Sequence, residues 1–402
     1  MRARVLLLGL ETQIGLTIIR ELAQHGVEVH GLADSPHALG CYSRYLQRHY
    51  PRAIGEPELL EQLRDLTGQL APCHVMAISE NDIDLLNRSR SALPGVKLLV
   101  PEAPIMAIAR DKSLTQRYAS EVGIRVPQTV EIASVSELDT TAPKLQFPVI
   151  CKWKDPLRVV PALARARLPL DKVRYCQNAD ELRGYLSRFA GIGAFPIIQE
   201  YCPGQGVGHF LFMHRGEVIL IFQHHRLHEW PPEGGFSTLC EGVVEIPPSE
   251  LMMKSIKLLQ RMKWEGAAMV EYRVDPQEGR AWLMEVNGRF WGSLPLAHQS
   301  GAEFAWLTYA ILGEELADAR CSPHGGARCR NVVTDAKRLG RILFSPERIQ
   351  DRTLKFSRWR ELVSFVAEFF NLRTRYFVFT WKDPKPFLAD VFFSFLSKLK
   401  GG

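Results

Sequence analysis

Gly266 to Ser293 reads GAAMVEYRVDPQEGRAWLMEVNGRFWGS. Two apolar runs, Ala267–Val274 and Ala281–Val286, alternate with a period of two around Asp-Pro-Gln-Glu-Gly-Arg, which is the pattern of a β-hairpin. A loop centred near Glu278 sets Glu271 opposite Glu285. Because side chains alternate along a strand, Asn287 and Arg289 follow Glu285 on the same face. Two carboxylates roughly 5 Å apart on a sheet repel each other unless a cation lies between them. With the Asn287 amide oxygen they form a hard oxygen set that suits Mg²⁺ or Mn²⁺, water and phosphate oxygens completing the shell. Arg289 adds a planar fork of donors that matches a phosphate. The plainer alternative is a surface hairpin whose glutamates face water, and the rest of the chain decides between the two.

The 402 residues suffice for two or three domains with cores of their own. With 46% hydrophobic and 23% charged residues, the composition is that of an ordinary globular chain. The net charge of +6 is mild and no basic stripe precedes residue 320, so nucleic acid is not an expected partner. The eight cysteines (Cys41, Cys73, Cys151, Cys176, Cys202, Cys240, Cys321, Cys329) show no C-x-x-C spacing. Several sit in apolar runs, as small buried hydrophobes of a reducing compartment do. The apolar run near the N-terminus breaks after Leu10, and no run reaches the ~20 residues of a membrane span. The expected location is the cytoplasm.

Arg4–Leu8, the loop Gly9–Gly15, a helical pattern from Leu16 to Ala23 and the run Val27–Leu32 form a β-loop-α-β unit of a doubly wound sheet. The loop lacks the G-x-G-x-x-G spacing of a dinucleotide site, so a different small ligand is expected there. His74–Ile78 reads as a strand that runs into Ser79-Glu80-Asn81-Asp82, where either a ligand is met or Asp82 caps the next helix. Asp111 reads as the N-cap of a helix that contains Lys112 and closes at Gly123. Phe147–Lys152 is a short strand ending on a lysine. Residues 154–176 lack glycine and carry Arg158, Arg165, Arg167, Lys172 and Arg174. Pro196–Tyr201 is a strand, and Cys202–Gly208 a flexible turn. His224, His225 and His228 are in zinc-ligand company, but adjacent strand residues point to opposite faces. Pro231–Thr238 is either an ordinary turn or a backbone cradle for an anion that Arg226 also faces.

These segments in this order resemble the ATP-grasp superfamily, over roughly residues 1–315. Within it they resemble the carboxylate–amine ligase branch, which includes D-aspartate ligase-like proteins and the carbamoyl-phosphate synthase large chain. The motifs are Asp111-Lys112 opening a helix that ends at Gly-Ile-x-x-Pro, the strand Pro-Val-Ile-Cys-Lys152, the hinge Gln199-Glu200-Tyr201-Cys202-Pro-Gly, and Glu285-Val-Asn287-Gly-Arg289-Phe-Trp-Gly. The resemblance implies a mixed α/β and α+β fold. A Rossmann-like pre-ATP-grasp domain (1–110) precedes an ATP-grasp domain (111–315) of a lid (about 125–205) and a central antiparallel sheet, followed by a mostly helical, aromatic-rich extension (316–402). By resemblance Lys112 and Lys152 hold ATP phosphates, Gln199 and Glu200–Cys202 meet the adenine, and Gln205 stands nearest the ribose position. Glu271, Glu285 and Asn287 hold Mg²⁺ or Mn²⁺, and Arg289 faces the transferred phosphoryl group. The implied reaction joins a small carboxylate to an amine through an acylphosphate, forming ADP. Arg226 or Arg289, with the Gly234–Gly235 amides, is the candidate to stabilise the oxyanion. The chain departs from the pattern at the lid, where arginines and prolines replace a glycine-rich loop, and at the ribose position, which usually carries glutamate.

After the linker-like Cys321–Ala327, eleven of the twenty phenylalanines fall between Phe344 and Phe395, interleaved with Arg and Lys. Arg358–Phe370 and Pro386–Leu399 read as amphipathic helices. Either they pack back onto the central domain, or they meet a membrane, a carrier protein or a second subunit, a homodimer included. Beside the ligase stands an alternative function: a divergent ATP-binding module that no longer ligates.

Overall fold

The computed structural model describes residues 3–154, 156–171 and 173–400; Lys172, one of the basic residues of the lid segment, lies outside the described residues. Three sheets organise the chain. The first is parallel, in the order β3-β2-β1-β4-β5, from β1 (Arg4–Leu8), β2 (Val29–Ala33), β3 (Arg48–Pro51), β4 (Cys73–Ala77) and β5 (Lys97–Leu98). β2 and β4 are buried throughout and β1 at all but Arg4, which is why they read as unbroken apolar runs. Glycines are needed after β1: Gly9 in the loop has φ +116°, and a Cβ on Gly15, in the first turn of the helix Gln13–Gln24, would lie 2.0 Å from the Gly9 carbonyl oxygen. Ser79, rather than Asp82, caps the helix Glu80–Arg88; Asp82 accepts from the Ser79 hydroxyl at 2.7 Å and pairs with Arg52.

The second sheet, β6 (Thr129–Val130), β7 (Val149–Lys152), β8 (Arg174–Cys176) and β9 (Ile197–Glu200), is antiparallel in the order β6-β9-β7-β8. Its core joins Val149, Cys151 and Ile198 to Phe189 and Leu186. The glycine-free stretch after Lys152 holds a helix, Pro156–Arg165, whose Val159 and Leu163, four residues apart, are buried in that core.

The third sheet has seven strands in the order β14-β13-β10-β11-β12-β15-β16: β10 (Gln205–His214), β11 (Glu217–Trp230), β12 (Phe236–Val243), β13 (Gly266–Asp275), β14 (Arg280–Asn287), β15 (Arg328–Arg330) and β16 (Thr374–Tyr376). β10 begins at Gln205, inside the stretch expected to be a flexible turn. The tail is woven into this sheet: β15 pairs with β12, and β16 lies parallel to β15. Phe377 and Val378, just past β16, are buried in the main core beside Phe210, Phe222 and Trp291. Among the described residues no helix is long and apolar enough to cross a membrane.

Candidate active site

The hairpin β13–β14 pairs Glu271 directly with Glu285. From the turn the ladder runs from Asp275↔Arg280 to Tyr272↔Leu283; Met284 is then an extra residue, and the next pair is Glu271↔Glu285. Without that bulge Glu271 would face Met284, and Glu285 would project from the opposite side of the sheet. Asn287 donates its Nδ2 to Glu285 Oε1 at 2.8 Å, which leaves its amide oxygen for another partner. Arg289 lies beyond the strand end. Its Nε meets Glu80 Oε1 of the N-terminal domain at 3.4 Å and its Nη1 donates to the Phe290 carbonyl at 3.1 Å. It also lines a cavity of about 400 Å³ between the first and third sheets, with Leu98, Val100 and Glu102.

The two candidate lysines come from other elements. Asp111 caps the helix Lys112–Glu121, accepting from the Ser113 and Leu114 amides at 2.9 and 3.0 Å, and so fixes where Lys112 emerges. Lys152 ends β7. Burial and the neighbouring Lys112 charge lower its pKa to about 8, against the pull of Glu285, Cys202 and Glu271. Lys112, Glu285, Cys202 and Glu271, from four different segments, thus stand close enough to Lys152 to act on its charge. Burial raises the pKa of Glu271, and Glu285 raises it further, while Arg226 opposes the shift. Among the described residues no third His, Cys, Asp or Glu joins the pair to make a metal cluster. What the hairpin itself offers is two carboxylates and one amide oxygen, a hard and incomplete oxygen set of the kind Mg²⁺ shares with phosphate oxygens.

At the hinge, buried Gln199 donates to Thr129 Oγ1 at 3.0 Å, and Glu200 accepts from the Gln128 amide at 3.0 Å. Cys202 is buried and its thiol pushed up to about 12, which makes it an apolar wall rather than a reactive group. Gln205 is exposed at the start of β10. The Tyr201 hydroxyl donates to Asp351 Oδ2 at 2.9 Å, a partner from the tail.

Arg226 turns both Nη groups to protein partners, Glu271 Oε2 at 2.5 Å, Glu229 Oε1 at 3.2 Å and the Gly235 carbonyl at 2.7 Å, while its Nε is buried without a hydrogen-bond partner. Burial works against its charge, but Glu271 and Glu229 outweigh burial and hold its pKa above the ordinary value. Glu229 accepts in turn from Arg273 at 3.0 Å. A Cβ on Gly206 would lie 2.6 Å from Arg226 Cδ and 2.9 Å from Glu229 Oε1, so glycine makes room for this network. Arg226 therefore sets the orientation of Glu271, and the Gly235 carbonyl, not an amide, is what it meets in the loop expected to cradle an anion. His224 is fully buried, bonds Ser293 Oγ at 3.0 Å and is held well below its usual pKa by burial; His225 meets Gln223 instead.

Sequence reasoning missed Arg273, Glu229 and Asp351. Arg273 was within reach, standing two residues from Glu271 on the same strand face. Glu229 was not, because register shifts between Arg226 and Glu229 break the strand alternation.

No protein-family model and no curated protein matches the chain by sequence. Solved structures do match. N5-carboxyaminoimidazole synthetase from Staphylococcus aureus superposes with a TM-score of 0.62 at 14% identity, over 88% of each chain. The biotin carboxylase domain of 2-oxoglutarate carboxylase from Hydrogenobacter thermophilus, solved with MgADP and bicarbonate, gives 0.62 at 12% identity over 82% of this chain and 74% of that one. L-amino acid ligase from Bacillus licheniformis gives 0.57 at 16% identity over 78% and 75%. At these identities the likeness is one of architecture: this chain has the ATP-grasp fold.

Proposed function

We propose that the protein is an ATP-dependent, ADP-forming ligase that joins a small carboxylate to an amine. The observation that carries this reading is the facing Glu271–Glu285 pair, which together with Lys112 lies near enough to Lys152 to act on its charge. Two cations and two carboxylates around one space suit a polyphosphate with its divalent ion. Glu271, Glu285 and the Asn287 oxygen fit Mg²⁺ or Mn²⁺, which when bound supplies charge neutralisation at the phosphate oxygens. The two lysines bind and orient the terminal phosphates, the hinge Gln199–Cys202 borders the base, and Gln205 stands by the sugar. Arg226 keeps Glu271 turned into the cleft. Arg289, beside its cavity, is placed to meet an anionic group of the acceptor or the transferred phosphoryl.

In the chemistry inferred, a carboxylate oxygen of the substrate bonds to the γ-phosphorus as the bond to the β–γ bridging oxygen breaks, releasing ADP. The amine then bonds to the acyl carbon, the carbon–oxygen bond to phosphate breaks, and the amine proton leaves with phosphate or to water. The similar structures solved with MgADP and as an amino acid ligase support the reading. A second reading, a nucleotide-gated module without turnover, is favoured by the tail segment Gln350–Thr353, which bonds both lid and hinge.

An ADP-release assay with pooled amino acids and small carboxylates separates the readings. Substrate-stimulated, Mg²⁺-dependent ADP and phosphate support ligation; nucleotide binding without turnover supports the module, and AMP would point to adenylation.

A further inference from the structure

The helix Arg358–Ala367 and the turn after it are built the wrong way round for a surface element. The side that meets the protein is polar or clamped. Glu361 pairs with Arg338 at 2.7 Å. Phe365 and Phe369 lie over the guanidinium of buried Arg330, at 4.0 and 4.7 Å, and Arg330 donates to Asp335 at 2.8 Å. The exposed side carries Trp359, Leu362, Val363 and Val366, which at steps of three and four form one stripe along the helix, and Phe370 continues it in the turn after. Trp359 is 72% exposed and Phe370 79%. A normal surface helix shows water its charges, whereas this one shows water its apolar stripe.

The charges around the stripe have one sign. Lys355, Arg358, Arg360 and Arg373 are exposed, and none of them forms an ion pair among the described residues. The three acids between 351 and 375 all turn inward: Asp351 to Tyr201 and Thr353, Glu361 to Arg338, and Glu368 to Arg328 and Thr374. A twofold contact with a second copy would set these cations against one another with no acid to offset them.

We propose that this face docks the protein on an anionic lipid surface, with the helix lying in the plane of the interface, Trp359 and Phe370 among the acyl chains and the basic residues at the headgroups. The helix is held in this orientation by Arg330 and Arg338, so the stripe is presented before lipid is met.

Co-sedimentation of the full chain with vesicles of phosphatidylcholine, alone or mixed with phosphatidylglycerol, tests the assignment. Partition into the mixed vesicles is expected, weakened by salt and absent with phosphatidylcholine alone. The paired change Arg358→Glu and Arg360→Glu should weaken it by roughly tenfold or more, from the value of each basic residue near an anionic surface. Trp359→Ser with Phe370→Ser should abolish it, with an unchanged thermal melt showing that the body remains folded. Equal sedimentation of the native and serine proteins overturns the proposal, as does indifference to lipid charge. So does a concentration-dependent dimer lost in the serine variant with no vesicle binding, which would give the face to a second copy.

Discussion

Lys152 is the residue on which pH acts most directly. Its ordinary pKa of 10.5 falls to about 8 in the folded chain because burial and Lys112 disfavour the charged form. A base with a lowered pKa loses its proton as pH rises through 8 in the fold but only near 10.5 when unfolded. Across that window the unfolded chain binds more protons, and this group makes stability rise with pH. Nucleotide binding runs the other way, because a polyphosphate needs the charge. ADP affinity measured by calorimetry should drop between pH 7 and pH 9, with proton uptake on binding at the higher pH. Lys152→Met should weaken binding by roughly tenfold to a hundredfold, the worth of a hydrogen bond to a charged group, and flatten the pH profile. A flat profile in the native protein would show that Lys152 does not meet the phosphates. Arg226 is different in kind: with both Nη groups committed to Glu271, Glu229 and Gly235, it sets an acid in place.

At the scale of elements, the segment Gln350–Thr353 acts as a strap. Gln350 accepts from the Tyr175 amide of β8 at 3.3 Å, Arg352 pairs with Glu181 of the helix Ala179–Ser187 at 3.4 Å, and Asp351 takes the Tyr201 hydroxyl. The second sheet, the Gln199–Cys202 stretch and the tail are thus joined. Asp351→Ala removes the shared acceptor of Tyr201 and Thr353. Hydrogen exchange in Arg174–Gln177 and Ile197–Tyr201 should quicken and ADP dissociate roughly tenfold faster, in line with one or two lost charge-assisted bonds. Unchanged exchange in both strands would mean that the strap does not restrain the lid. The paired glutamates are likewise an element-scale property, since the Met284 bulge, and not the hairpin loop alone, brings Glu285 to the side of Glu271.

For the whole molecule, the tail ties the first sheet to the third. Arg20 of the first helix donates to Asp383 at 3.1 Å in a buried pair, and Asp383 also accepts from Ser43 Oγ at 2.7 Å and the Arg44 amide at 3.0 Å. β16 and Phe377 meanwhile complete the central sheet and core. Asp383→Ala leaves a buried guanidinium without its counter-charge and should cost roughly 3–5 kcal/mol in urea unfolding, as removal of one partner of a buried pair does. A loss under about 1 kcal/mol would show that water reaches Arg20 and that the tail is less integral than its contacts indicate.

What could be read from the chain alone was whatever repeats over a few residues. The period of two in Ala267–Val286, the apolar runs of β1 and β4, the glycines around Gly9 and the cap Asp111 are local, because strand alternation and helix capping involve residues within four of one another. Tertiary structure alone decided which distant groups meet: Tyr201 with Asp351 across 150 residues, Arg20 with Asp383 across 363, and Arg289 with Glu80 across 209. It also decided that three-residue strands, too short to show any period, seat the tail in the central sheet. Partners of that kind are chosen by packing and by the pairing of buried charge, and neither leaves a spacing that can be counted along the sequence.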